Sequence, residues 1–241
     1  MKSTQQHINN SSYESFVQKV QDELQLKAKH NKTSIENLAK KYAILDKTEV
    51  KELTELAIVN EARKIAHKTG WTSDEKFEAI VDLYHSQVNL SHRTSQSILL
   101  QQYSTPAPIG YLAGLFCEID KLETKGGYAF EPSAGNGLLT IAGNPSRIYV
   151  NEIDDFRTLN LQTQGFANVW KRDATNEFFD LHRHFQAVMT NPPFGKINPK
   201  IAFNGFEFNT LDHVMALRAL ETMLEDGRAS IIIGGHTQWD E

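Results

Sequence analysis

The segment Thr190-Asn-Pro-Pro-Phe-Gly195 follows the apolar run Ala187-Val-Met189 and carries the sharpest chemical signal in the chain. An amine conjugated to a purine ring is a poor nucleophile because its lone pair is delocalised into the ring. A site can help by accepting hydrogen bonds from both N–H groups, which favours a more tetrahedral nitrogen. The side-chain oxygen of Asn191 and the carbonyl of Pro192 are suitable acceptors. Pro193 has no N–H and stiffens the turn. Phe194 offers a face on which an extruded base can stack. A bare Asn-Pro-Pro is otherwise a rigid turn at a strand end.

Four further segments are candidates for holding a ligand beside that turn. In Glu131-Pro-Ser-Ala-Gly-Asn-Gly137, Gly135 and Gly137 let the backbone approach a ligand where a Cβ would clash. A tight βα turn is one alternative. A dinucleotide site is another, but the third glycine is missing and an acid precedes the first. In Val150-Asn-Glu-Ile-Asp154, Glu152 lies 15 residues after Gly137, where a carboxylate can accept from both hydroxyls of a ribose. Asp154 and Asp155 read as acids favoured at a helix N-terminus. In Arg172-Asp-Ala-Thr175, Asp173 could accept from an adenine amine or serve a turn. In Gln101-Gln-Tyr-Ser-Thr-Pro106, Thr105 reads as an N-cap and Pro106 as the first residue of an apolar helix reaching Leu122.

The elements needed to position these segments are legible in the spacing of apolar residues. Short β-rich runs at Tyr128–Glu131, Arg147–Asn151, Asn168–Lys171, Ala187–Thr190 and Ala229–Ile233 alternate with helical stretches, including a short helix at Leu161–Phe166. That alternation predicts an α/β fold with a largely parallel sheet, and ligands of such sheets sit beyond the carboxyl ends of the strands. Residues 1–100 read instead as helices. Tyr13, Phe16, Val17, Val20 and Leu24 share one helical face. So do Ile35, Leu38, Ala39 and Tyr42, and again Phe77, Ile80, Val81, Tyr84 and Val88. Thr33 with Glu36, and Thr72 with Glu75, have capping-box spacing. No chemistry is assigned to this half.

Taken together, these motifs resemble the class I S-adenosylmethionine-dependent methyltransferases that act on amino nitrogens, above all the N6-adenine DNA enzymes. The order Gln-Tyr-Ser-Thr-Pro, Glu-Pro-Ser-Ala-Gly-Asn-Gly, Asn-Pro-Pro-Phe carries the resemblance over about residues 101–235. An all-α domain ahead of it is similar to the modification subunits of type I restriction systems and to large methylases of phages and mobile elements. The resemblance implies a helical domain over 1–100 and a Rossmann-like methyltransferase domain over 101–241. It implies that Tyr103, Thr105 and Pro106 border the methionine part of S-adenosylmethionine, and that Glu131, Gly135 and Gly137 line its centre. Glu152 would hold the ribose, Ile153 would pack on the adenine, and Asp173 would bond its amine. Asn191, Pro192, Pro193 and Phe194 would carry the target base, with DNA as the substrate. No metal is needed. Asn-Pro-Pro motifs also resemble those of enzymes methylating protein glutamine or RNA base nitrogens, and a methyltransferase-like module without turnover is a further alternative.

The formal net charge is −5, unevenly spread: residues 1–100 hold 14 Lys and Arg against 13 Asp and Glu, and residues 101–241 hold 11 against 17. Affinity for nucleic acid comes largely from cations that neutralise phosphates, so DNA binding would need a local patch, further sequence or a partner subunit. No run approaches the ~18 apolar residues of a membrane span, and the N-terminal residues lack the apolar core of a secretory signal. The lone Cys117 reads as a small buried hydrophobe. A cytoplasmic protein is expected. The fold class implies two strands after the fifth, so the sheet is expected to end early, with an apolar last strand available for self-association.

Overall fold

The computed structural model describes residues 2–86 and 104–234. Four helices come first: α1 (Lys2–Gln25), α2 (Lys32–Lys40), α3 (Lys47–Ala66) and α4 (Ser73–Ser86). Helix α5 (Ala107–Phe116) leads into the sheet. The strands β1 (Ala129–Glu131), β2 (Ile148–Asn151), β3 (Asn168–Trp170), β4 (Phe185–Thr190) and β7 (Met223–Ile231) form one sheet. Its order is β3-β2-β1-β4-β7 and every pairing is parallel. Helix α6 (Asp155–Gln162) connects β2 to β3, and α7 (Leu211–Glu221) leads into β7. The mixed α/β architecture and the parallel sheet follow the expectation from the alternating runs, and the strand order is consistent with a Rossmann-like fold.

The two-residue period of a strand sends neighbouring side chains to opposite faces. Ala129, Ile148, Val150, Ala187 and Met189 belong to one buried cluster, while Phe130 and Val188 belong to another. The first cluster continues without a break into Phe16, Ile35, Leu53, Ile58 and Ile80 of the helical layer. The second gathers Phe178, Leu181, Phe185, Met215 and Ala219. The sheet is thus covered on both faces, and the helices before residue 87 share its core.

Several local expectations shift. Thr72 and Glu75 do form a capping box, with Thr72 N donating to Glu75 Oε2 (2.8 Å) and Glu75 N to Thr72 Oγ1 (3.2 Å). The box before α2 is instead Asn31 with Ser34, two residues upstream of Thr33 and Glu36. On α4, Ile80 and Leu83 are buried and Tyr84 is exposed, while Val88 lies outside the described residues. The expected helix at Leu161–Phe166 is α6, which begins earlier because Asp154 caps it through Phe156 N and Arg157 N. The helix from Pro106 to Leu122 ends at Phe116, and Pro106 stands at the N-cap. No α-helix opens from the glycine turn; a single 3-10 turn, Leu138–Thr140, follows it.

Between β4 and α7 lies a hairpin that the apolar runs did not announce, β5 (Lys196–Phe203) and β6 (Phe206–Thr210). Its turn is Asn204-Gly205, with φ of 49° and 83°, and two positive values are what the tightest hairpin turns require. The last strand starts at Met223, six residues before the expected Ala229. Glu225, Asp226 and Arg228 on it are exposed, so the uncharged edge is left to its last three residues, 229–231. Cys117 is buried, and its thiol is pushed up to about 11 by burial. Among the described residues no helix is long and apolar enough to cross a membrane.

Candidate functional site

The carboxyl ends of β1, β2, β3 and β4 open onto one cavity of about 380 Å³. It lies where the strand order reverses between β1 and β4, the position at which open parallel sheets bind ligands. Of the residues singled out in the sequence, Thr105, Glu131, Gly135, Glu152, Ile153, Asp173, Asn191 and Pro193 line it. Pro106, Gly137, Pro192 and Phe194 adjoin these without lining the wall. Tyr103 lies outside the described residues.

The glycine turn owes its shape to two residues in the left-handed region, Gly135 at φ 56° and Gly137 at φ 95°. A side chain there would be strained. Gly135 faces the cavity, whereas a Cβ on Gly137 would stand 3.2 Å from Gln164 Oε1 and 3.4 Å from Phe166, beneath the turn. Glu152 clasps the turn: its Oε2 accepts from Gly135 N (2.8 Å) and its Oε1 from Asp154 N (2.9 Å). A carboxylate has about four lone-pair sites, so two remain for a ligand's hydroxyls. Ile153, next in sequence, is 49% exposed on the rim. Asp173 accepts from Thr175 N (2.9 Å) and Thr175 Oγ1 (2.8 Å), the turn arrangement that was its alternative reading.

Thr105 is buried and does not cap α5; no side chain does. Its hydroxyl is turned to the far side of the cavity, where Asn191 Nδ2 donates to Thr105 Oγ1 at 3.0 Å. A second hydroxyl contact, Ser133 Oγ to Thr190 Oγ1 at 2.8 Å, ties the glycine turn to the end of β4. Behind the Asn-Pro-Pro turn, Leu211 N donates to Gly195 O (2.8 Å), which fixes the start of α7. A methyl placed on Gly234 would fall 3.1 Å from the Phe194 ring.

Three residues that organise the site were not singled out in the sequence. Asn151 Nδ2 donates to both Pro132 O and Arg172 O (2.9 Å each), and its Oδ1 accepts from Arg172 N (2.8 Å). One amide thereby joins the loops after β1, β2 and β3. Glu52 and Glu55 come from α3, a helix buried almost all round. Such a helix has no amphipathic stripe to betray it. Glu52 Oε2 accepts from Arg157 Nε (2.8 Å) and Asn136 Nδ2 (2.7 Å), and its Oε1 from Arg157 Nη2 (3.3 Å). Asn136 also accepts from Asn160 Nδ2 (2.9 Å). Burial would raise the Glu52 carboxyl, but the Arg157 guanidinium overrides it and holds the group below its ordinary value. Arg157, which burial would lower, is held up by Glu52 and Glu55.

The remaining carboxyls behave differently. Glu131, at the end of β1, is 2% exposed and its Oε2 has no hydrogen-bond partner among the described residues. Burial first, then the charge of Glu152, pushes it well above the usual carboxylate range, with Arg63 opposing. Glu152 is also raised, by burial. Arg63, on α3, donates to Gln164 Oε1 (2.8 Å) and Thr140 Oγ1 (2.9 Å) and is pushed down to about 10 by burial.

No protein-family model matches the chain, and no curated protein matches it. Among solved structures it is similar to the type IIG restriction endonuclease BpuSI, at 16% identity and a TM-score of 0.36. The likeness covers 80% of this chain and 25% of that one, so the chain spans about a quarter of the length of that protein.

Proposed function

We propose that the chain binds S-adenosylmethionine and directs its methyl group to the exocyclic N6 of adenine in DNA. The observation that carries this reading is the hydrogen bond from Asn191 Nδ2 to Thr105 Oγ1, on the wall of a cavity lined from the carboxyl ends of four strands. The cavity residues fit such a cofactor. A volume of about 380 Å³ is within the range of small-molecule sites. Ile153 offers an exposed apolar surface to a ring, Glu152 offers acceptors to hydroxyls, and Glu131 has a buried oxygen without a partner. The cofactor, when bound, supplies an electrophilic methyl group on a sulfonium.

The chain's own contribution is positioning and polarisation. Thr105 fixes the rotation of the Asn191 amide, and with it the direction of the acceptor oxygen. Asn191 Oδ1 and the Pro192 carbonyl accept the two N–H groups of the target amine and sharpen its lone pair. Pro193 keeps the turn rigid, and the Phe194 ring stacks on the base. No covalent enzyme intermediate is required.

Labelled methyl transfer to unmethylated DNA, unmodified RNA and glutamine-bearing protein, each with wild type and Asn191→Ala, tests the reading. Transfer to DNA at adenine, lost in Asn191→Ala, is the expected result. Transfer to protein alone would overturn the substrate and would accord with the acidic excess of residues 101–241. Cofactor binding with no transfer to any acceptor would make the chain a binding module.

A further inference from the structure

Glu55 belongs to α3, in the helical layer, yet it stands on the cavity wall. It is 4% exposed, its Oε2 has no hydrogen-bond partner among the described residues, and its side-chain bond is to Ser104, next to Thr105. The charged groups around it are Glu52, Lys51 and Arg157. Arg157 is already committed to Glu52 through two nitrogens, and Lys51 Nζ stands 3.6 Å from Glu52 Oε1. Among the described residues Glu55 therefore shares Arg157 with Glu52 and has no counterion of its own.

A buried carboxyl with an unpartnered oxygen costs stability, and an apolar residue of similar size would cost less. Glu131, with its own unpartnered Oε2, lies on the same wall. Two such oxygens at one cavity ask for a donor that arrives with the ligand. An ammonium brings three N–H donors and a full positive charge, whereas a sulfonium has no N–H to give. Position separates the two ends of the cavity. Ile153 and Asp173 follow β2 and β3, whereas Ser104 and Thr105 lie on the side of Asn191 and β4. A nucleoside whose ring rests on Ile153 would direct its amino-acid end toward Ser104.

We infer that Glu55 receives the primary ammonium of the ligand, so that the helical layer selects a nucleoside carrying an amino-acid tail. This rests on the cofactor reading given above. Burial, then the charge of Glu52, raises the Glu55 carboxyl. An ammonium docked beside it favours the carboxylate, so docking shifts the group toward release of its proton.

The experiment is calorimetric titration of S-adenosylhomocysteine and of 5′-methylthioadenosine, the same nucleoside thioether without the amino-acid end, into wild type and Glu55→Gln. The expected result is a loss of tenfold or more in S-adenosylhomocysteine affinity in the variant, with 5′-methylthioadenosine unchanged. Equal binding of S-adenosylhomocysteine by both proteins, or equal loss of both ligands, would overturn the inference. Wild type titrated in two buffers of different ionisation enthalpy gives a test that does not depend on the variant folding. Binding of S-adenosylhomocysteine should release more protons than binding of 5′-methylthioadenosine, and equal release would overturn the inference. If wild type binds 5′-methylthioadenosine while these tests fail, the cofactor reading stands without Glu55. If it binds neither ligand, both fall.

Discussion

Thr105 and Asn191, 86 residues apart in the chain, meet on the wall of the cavity in a hydrogen bond of 3.0 Å. One residue ends the approach to α5 and the other leaves β4. The bond therefore links the segment proposed to border the cofactor with the segment proposed to hold the amine. Its loss should uncouple positioning from binding.

Thr105→Val keeps the shape and removes the acceptor. A net hydrogen bond is worth about 0.5–1.5 kcal/mol, and about 1.4 kcal/mol is tenfold in rate. Turnover should fall about tenfold under single-turnover conditions, with S-adenosylhomocysteine affinity unchanged. Asn191→Ala should abolish transfer and likewise spare binding. Full turnover in Asn191→Ala would remove its assigned role.

Glu52 is the counterion of a buried guanidinium and the acceptor of Asn136. Glu52→Ala leaves Arg157 buried and unpaired, and breaking a buried pair costs about 3–5 kcal/mol. Urea unfolding should register a loss of that size, whereas replacing Glu52 and Arg157 together by apolar residues should cost much less. Equal losses in the single and double variants would contradict the pairing.

The helix α5 approaches the glycine turn so closely that a Cβ on Gly110 would stand 2.2 Å from the Leu138 carbonyl oxygen. Backbone cannot give way as a flexible side chain can. Gly110→Ala should therefore destabilise the fold by about 1–3 kcal/mol and weaken S-adenosylhomocysteine binding, because the displaced turn carries Leu138 and Leu139 of the cavity wall. A thermal midpoint equal to wild type would refute that close approach.

Three carboxyls, Glu131, Glu152 and Glu55, are held above the ordinary range, chiefly by burial. Above their ordinary value of 4.5 the folded protein holds more protons on them than the unfolded chain does. Stability therefore falls as pH rises through their raised values. Glu52 is lowered, so its contribution is lost as pH falls through its folded value. The urea midpoint of the ligand-free protein should decline as pH rises above 4.5, and Glu131→Gln, which cannot ionise, should flatten the decline. A midpoint that rose with pH there would contradict the environment described for Glu131.

The sheet was legible because parallel strands buried on both faces leave short apolar runs, and each run here ends in a recognisable turn. Its parallel pairing followed from the alternation with helices, whereas its strand order did not. Residues 47–66 fell within the stretch read as helical, but the part that α3 plays in the site escaped, because burial on nearly every side gives no repeating polar face that would set Glu52 and Glu55 apart. The hairpin escaped because its first strand contains Asn198 and Pro199; Asn204-Gly205 between two Phe-bearing runs was the clue. Thr105 read as a cap because threonine before proline has that local preference. A bond to a residue 86 positions away overrides it, and no local pattern encodes that bond.

The shared core has a consequence for the order in which the protein can be assembled. Arg157 follows Glu52 by 105 residues, and Asn136 follows it by 84. On the ribosome α3 emerges long before either partner, with its carboxyls still hydrated and its sheet-facing side chains bare. The N-terminal helices must wait as half of a core until β1 and β2 have been synthesised and closed over them. A helix made early in the chain is thus completed as core only late, after the sheet that covers it.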